Sequence, residues 1–182
     1  MVRFFGTVFA LLFIAVLATA GGAAYVFYAF GRDLPPHDML ATYEPPTMTR
    51  VHAGDGRLLT EFAREPRVFV PVTAIPQRVI DAFVAAEDEN FFVHPGIDPL
   101  AIVRAALTNL QNVGDDRRPI GASTITQQVA QIFLLDKEVA LTRKIREAIL
   151  SLRIERALTK NRILELYLNE IYLGYGSYGV AA

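Results

Sequence analysis

The chain contains no cysteine, which excludes disulfides and thiolate metal sites but does not assign a compartment. It has almost no charge surplus, a net −1 over 182 residues, and so gives no expectation of a nucleic-acid partner. No internal repeat is visible. No charged residue occurs between Arg3 and Arg32. At about 1.5 Å per residue, the apolar run Phe4 to Phe30 is long enough to cross a ~30 Å hydrocarbon core as a helix. A cleaved signal peptide is the rival, since Ala18-Thr19-Ala20 precedes Gly21. An apolar signal core ends after about 7–15 residues, however, and here Ala23 to Phe30 continue, which favours an uncleaved anchor. Arg3 on one side and Arg32, offset by Asp33, on the other barely decide its orientation.

The rest divides into a proline-rich linker, 33–48, and one domain, 49–182. Pro35, Pro36, Pro45 and Pro46 suit a stiff extended spacer that holds the domain off the membrane. Thr49 to Val51, a turn at Asp55-Gly56 and Leu58 to Phe62 predict a β-hairpin, with a further short strand at Val68 to Val70. Beyond Pro76 the pattern turns helical: Gln77 to Ala86, Pro99 to Gln111 with Asp98 as N-cap, Thr124 to Leu135, Val139 to Leu158 and Asn161 to Leu173. Asn112 to Pro119 breaks the pattern and predicts a mobile loop. The expected fold is mainly α.

Three segments carry candidate chemistry. Glu87-Asp88-Glu89 ends an apolar helical run and is followed by Phe91 and Phe92. A helix C-terminus disfavours negative charge, which makes Glu87 a better base, and the aromatics would limit its solvation. The alternative is a solvated acidic turn that stops the helix. Next, Ser123, Thr124, Gln127 and Gln128 open a helix whose free N–H groups could hold a phosphate or a sugar hydroxyl. Thr124-x-x-Gln127 is equally a capping box, which explains two of the four without a ligand. In the third segment, Leu141, Ile145, Ala148, Ile149 and Leu152 form one apolar stripe and leave Arg143, Lys144 and Glu147 on other faces. These are either a solvated i,i+4 pair or a cationic site for a phosphate leaving group with a carboxylate beside it. The last helix reads as buried scaffold without chemistry.

In order, Glu87-Asp88-x-x-Phe91-x-x-His94-x-Gly96, Gly121-x-Ser123-Thr124-x-x-Gln127-Gln128, Arg143-Lys144-x-x-Glu147, Lys160-x-x-Ile163-Leu164-Glu165-x-Tyr167-Leu168-Asn169 and Gly174 to Ala182 resemble the five motifs of the peptidoglycan glycosyltransferases of class A penicillin-binding proteins. The hairpin and the Ile171-Tyr172-Leu173-Gly174-Tyr175-Gly176 ending resemble their 1A type. The resemblance implies a lysozyme-like glycosyltransferase domain, incomplete at its C-terminus, behind one transmembrane helix in the bacterial inner (plasma) membrane. Residues 1–32 would then be a cytoplasmic tip and anchor, with the catalytic domain periplasmic or extracellular.

The implied reaction polymerises lipid II onto a growing glycan strand, with inversion and release of undecaprenyl pyrophosphate. Glu87 and Glu147 would be the catalytic carboxylates, Glu87 as base and Glu147 orienting the pyrophosphate or a Mg²⁺ or Mn²⁺ ion. Ser123, Thr124, Gln127, Gln128, Arg143 and Lys144 would bind the donor. Partners would be lipid II, the glycan strand, the membrane and other cell-wall synthesis proteins. Where the family usually continues the second motif with Lys-Asn, this chain has Gln131-Ile132, which removes a cation near the donor phosphates. Two other functions fit parts of the pattern: a lysozyme-like hydrolase with Glu87 as general acid, and a non-catalytic membrane scaffold that binds lipid II or partners.

Overall fold

The computed structural model describes residues 2–36, 38–43, 49–62, 68–113, 119–135 and 140–181. The loop expected over Asn112 to Pro119 falls mostly outside them. Helix α1, Val2–Gly31, is followed by a 3-10 turn at Asp38–Leu40, strands β1 (Thr49–His52) and β2 (Leu58–Phe62), and a second 3-10 turn at Val72–Ala74. Then come α2 (Gln77–Glu87), α3 (Pro99–Gln111), α4 (Ile125–Leu134), α5 (Ala140–Ala157) and α6 (Lys160–Glu170), closed by β3 (Tyr172–Gly174) and β4 (Ser177–Tyr178). The domain is mainly helical, as expected.

Helix α1 is long and apolar enough to cross a membrane: over Phe4–Gly31 the mean hydropathy reaches 2.2, and nearly all of the span is exposed, with Gly31 buried at its end. The end of α1 meets the domain, where Gly31 sits beside Ile149 and Arg153 of α5. The expected hairpin is present, antiparallel, with Val51 opposite Thr60 and a register shift after Val51.

The core is built around α4. Ile125, Val129, Ala130 and Leu134 recur at helical spacing and are buried between α5 and α6. From α5 come Leu150 and Ile154, and from α6 Ile163, Leu164, Leu166, Tyr167 and Leu168. On α5 the buried face differs from the expected stripe. Glu147, Leu150, Ser151 and Ile154 are buried at i, i+3, i+4 and i+7, while Leu141 is exposed. The reason is that α5 is packed from more than one side, by α4 and by the end of α1, and apolar periodicity alone does not distinguish the two faces.

Helix α6 ends three residues earlier than expected. The chain turns back at Gly174, Tyr175 and Gly176, all at positive φ, and the returning strand caps the helix: Gly179 N–H donates to Ile171 O and Val180 N–H to Leu168 O, each at 2.9 Å. A Cβ on Gly179 would lie 2.6 Å from Asn169 O, so only glycine permits that approach.

Val68 to Val70 is not a strand. The backbone of Val70 pairs instead with one amide side chain: its N–H donates to Asn169 Oδ1 at 2.8 Å, and Asn169 Nδ2 donates to Val70 O at 2.9 Å. Two residues on, Val72 N–H donates to Glu165 Oε2 at 2.8 Å. Replacing Asn169 by Leu would leave two backbone groups unpaired and should destabilise the domain by about 2–4 kcal/mol, measurable by urea denaturation. A loss under about 0.5 kcal/mol would show that water replaces the clamp.

Candidate active site

Helix α2 carries Ile80, Phe83 and Val84 on its inward face, and Glu87, seven residues after Ile80, continues that stripe at the helix's last turn. It emerges from the core into an open cleft. The buried phenol of Tyr167 senses it: burial raises the Tyr167 pKa above its ordinary value, and the charge of Glu87 raises it further. Glu87 Oε2 accepts a hydrogen bond from Gln128 Nε2 at 2.9 Å, which ties the end of α2 to the first turn of α4. Of the two aromatics expected around it, Phe91 is fully buried against Lys160 and His94, and Phe92 is half exposed.

Asp88, one residue further, points the other way and is buried. Its carboxylate accepts from His94 Nε2 at 2.9 and 3.0 Å and from the Ile125 backbone N–H, at the start of α4, at 3.0 Å. His94 Nδ1 accepts from Gly96 N–H at 3.0 Å, so the proton on this ring belongs on Nε2, facing Asp88. Gly96 has φ +104°, and a Cβ there would lie 2.8 Å from Ser151 O. Its own carbonyl accepts from Thr124 Oγ1 at 2.6 Å. Behind the loop, Lys160 lies 4.5 Å from the Phe91 ring centroid, donates to His94 O at 2.8 Å and pairs with Glu155 at 2.6 Å. Glu155 in turn accepts from Thr126 of α4 at 2.6 Å. Asp88, His94 and Lys160 stand in the motifs quoted above without an assigned role, and Thr126 and Glu155 were not singled out from the sequence. Their signal was polar residues at helix ends and inside apolar runs.

The four residues opening α4 divide. Thr124 and Gln127 form the capping box: Thr124 Oγ1 accepts from Gln127 N–H, and Gln127 Oε1 accepts from Thr124 N–H at 3.0 Å. Gln127 is buried and lines none of the recesses described below. Ser123 and Gln128 face the cleft. Ser123 Oγ accepts from Lys144 Nζ at 2.6 Å, and the same ammonium donates to Glu147 Oε2 at 2.8 Å. Arg143 Nε stands 3.2 Å from Glu147 Oε1, an ion pair too poorly aligned to be a hydrogen bond. The Glu147 side chain is 2% exposed, against 34% for Arg143 and 48% for Lys144. The cluster therefore buries its carboxylate and turns its cations outward, which makes it a docking point for an anion. A divalent ion fits poorly, because both oxygens of Glu147 already face cations. Among the described residues no three His, Asp or Glu side chains gather to hold one.

Three adjoining recesses make up the cleft. A small one of ≈ 160 Å³ has Glu87, Asn90, Asp98, Arg104, Ser123 and Thr124 in its walls. A larger one of ≈ 490 Å³ is walled by Glu87, Gly121, Ser123, Gln128 and Gln131, and the third, ≈ 470 Å³, by Gln128, Gln131, Glu170, Tyr172 and Tyr178. Glu87 is shared by the first two, and Gln128 and Gln131 by the last two.

Asp98 caps α3. It accepts from Asn90 Nδ2 at 2.8 Å and Ala101 N–H at 3.0 Å, and these bonds hold its carboxyl below the ordinary carboxylate range. A lowered folded-state pKa contributes stability that is complete above the unfolded value, about 3.9, and is lost as pH falls through the folded value. The stability difference between wild type and Asp98→Asn should therefore be flat above about pH 5 and shrink below about pH 4, as urea titrations at several pH values would measure. A difference independent of pH would overturn the assignment.

The Transglycosylase family profile matches residues 55–182. Penicillin-binding protein 1A of Rickettsia felis is 54% identical over 169 residues, 93% of this chain and 21% of that protein. The proteins of the same name from Aquifex aeolicus and Escherichia coli K12 are 45% and 40% identical over 92% and 96% of this chain. The chain thus spans about a fifth of the length of the curated relatives it matches. With the profile covering the hairpin turn, both sides of the cleft and the closing β3–β4 turn, the chain belongs to the transglycosylase family.

Proposed function

We propose that the protein is a peptidoglycan glycosyltransferase that polymerises lipid II at the outer face of the bacterial inner membrane, held there by α1 with its N-terminus cytoplasmic. The observation that carries this is an exposed carboxylate, Glu87, in a recess whose wall residue Ser123 accepts from Lys144, the ammonium that with Arg143 covers Glu147 just behind that wall. A base and an anion site on one cleft suit attack by a hydroxyl on a centre that loses a pyrophosphate.

In that reaction Glu87 takes the proton from the 4-hydroxyl of the acceptor sugar as its oxygen forms a bond to the anomeric carbon of the donor strand. The bond from that carbon to the lipid pyrophosphate breaks on the opposite face, and the pyrophosphate leaves with the electron pair. Configuration inverts. Arg143 and Lys144 neutralise the charge that develops there, and Glu147 holds both cations in place from beneath. Gln128 keeps the Glu87 carboxylate turned into the cleft. Pyrophosphate needs no protonation to leave, so no second acid is required. A hydrolase of neutral glycosides would have little use for the cation pair, which is why that alternative is less well supported.

Glu87→Gln should retain the fold and lose polymerisation of labelled lipid II by about 10²–10⁴-fold, the usual contribution of a positioned base. Glu89→Gln, whose side chain stands in the small recess alone, should be far milder. Equal losses would make the acidic cluster structural, and shortened glycan in place of long polymer would identify a hydrolase.

Gln131 tests the charge on the donor side. It stands beside Gln128 in the walls of two recesses, so Gln131→Lys should add a charge-assisted contact to a lipid pyrophosphate analogue and tighten binding by roughly tenfold. The gain should fade as salt rises. Equal affinities at low and moderate salt would mean that position 131 does not meet the phosphates.

A further inference from the structure

The connection between α1 and the hairpin was expected to be a stiff extended spacer that holds the domain off the membrane, yet at several of its described residues it grips the domain. Arg153 Nη2 donates to Gly31 O at 2.7 Å, capping the last turn of α1 from α5. Leu40 is buried in the core at 1% exposure. Arg162 Nη2 donates to two carbonyls of the strap, Leu40 O at 3.2 Å and Tyr43 O at 2.7 Å, while its Nη1 binds Glu165 at 2.6 Å. The Tyr43 hydroxyl donates to Glu170 Oε1 at 2.9 Å, and its ring meets Phe133 edge-on at 4.7 Å.

These attachments fall on particular elements. Phe133 belongs to α4, whose Gln128 and Gln131 wall the cleft, and Glu170 closes α6 and lines the same recess as those amides. A planar guanidinium that serves two carbonyls and a carboxylate fixes the chain in direction as well as in distance. The short connection is therefore fixed at both ends, at Gly31 to α5 and at Leu40 to Tyr43 to α6 and α4, the helices that carry one wall of the cleft.

We propose that these contacts make the connection a rigid strap that sets the height and tilt of the cleft above the membrane surface, with Arg153, Arg162 and Tyr43 as its positioning residues. The purpose assigned to it rests on the proposed function. Both substrates there are lipid-linked, so their reacting sugars lie at a fixed height over the bilayer, and a cleft held at that height avoids an orientational search. A flexible tether would hold the enzyme at the surface without aiming it.

The absence of cysteine allows a single dye on a cysteine introduced at the exposed Arg78 of α2, with energy transfer to an acceptor lipid in vesicles that carry the anchored chain. Wild type should give one narrow distance. Arg153→Gln, and Tyr43→Phe combined with Arg162→Lys, should each broaden it, and all three together more so, with thermal unfolding as the check on folding. If the triple variant does not fold, Arg153→Gln alone decides, since the hydrogen bond it removes is the one to Gly31 O at the end of α1. Polymerisation of long-chain lipid II embedded in the vesicles should fall about tenfold in these variants, while that of a water-soluble short-chain analogue is kept. A folded variant whose distances stay as narrow as wild type, or a wild type already broad, overturns the strap. Broadened distances with no polymerisation even by wild type would leave the strap standing and remove the proposed function instead.

Discussion

The cleft depends on one buried carboxylate. Asp88 accepts from His94 and from the backbone at the start of α4, and so fastens the turn after α2 to the helix at the centre of the core. Its neighbour Glu87 is thereby held at the mouth of the cleft, because residues 87 and 88 leave the helix in different directions. The positive end of α4 stabilises the buried charge, and the imidazole supplies a second donor. Removing either partner would leave a buried carboxylate short of a donor, which is among the costlier changes a domain can undergo.

Two further buried carboxylates follow the same logic. Glu147 is covered by Arg143 and Lys144, and Glu155 by Lys160 and Thr126. Glu155 joins α5 to α4 and to the start of α6, whereas both partners of Glu147 lie on its own helix, and each carboxylate leaves a cation placed for another contact: Lys144 reaches Ser123, and Lys160 reaches the carbonyl of His94. The packing of α5 against α4 and the segment before it is thus held by charge pairs whose geometry is specific, over a core that supplies most of the burial. Helix α6 works similarly on the outer side. Arg162, Glu165 and Asn169 lie at helical spacing on one face, and they hold the chain on both sides of the hairpin, at Leu40 to Tyr43 and at Val70 to Val72.

Much of this architecture could be read along the chain. The helices over α2, α3 and α4 were placed within about two residues, because caps and prolines mark their ends. The Asp98 cap and the Thr124-Gln127 box are both present. The apolar run of α1 and the hairpin at Asp55-Gly56 are local features and needed no tertiary information. Of the residues singled out in motifs, Glu87, Ser123, Thr124 and Gln128 line the recesses, whereas Gln127 belongs to the cap and Arg143, Lys144 and Glu147 line none of the three. The end of α6 was placed too late, because Ile171, Tyr172 and Leu173 suit a helix as well as a strand. The turn at Gly174 to Gly176 that ends it takes effect only when the chain packs back on Asn169.

What the sequence by itself determined is therefore what depends on near neighbours: helix spans and caps, the membrane-length apolar helix, the tight turn of the hairpin, and which polar residues recur in candidate motifs. Tertiary structure alone decided which of those polar residues face the cleft and which are buried. Glu147 lies off the apolar stripe of its helix and is nonetheless almost fully enclosed, whereas Glu87 continues an apolar stripe and is open to solvent. It also decided that the proline-rich connection is docked at Leu40 and Tyr43, through Arg162 some 120 residues further along. Periodicity reports the side of a helix that favours burial. Which helix, loop or cation comes to cover that side is set by contacts between residues far apart in the chain, and no local spacing encodes them.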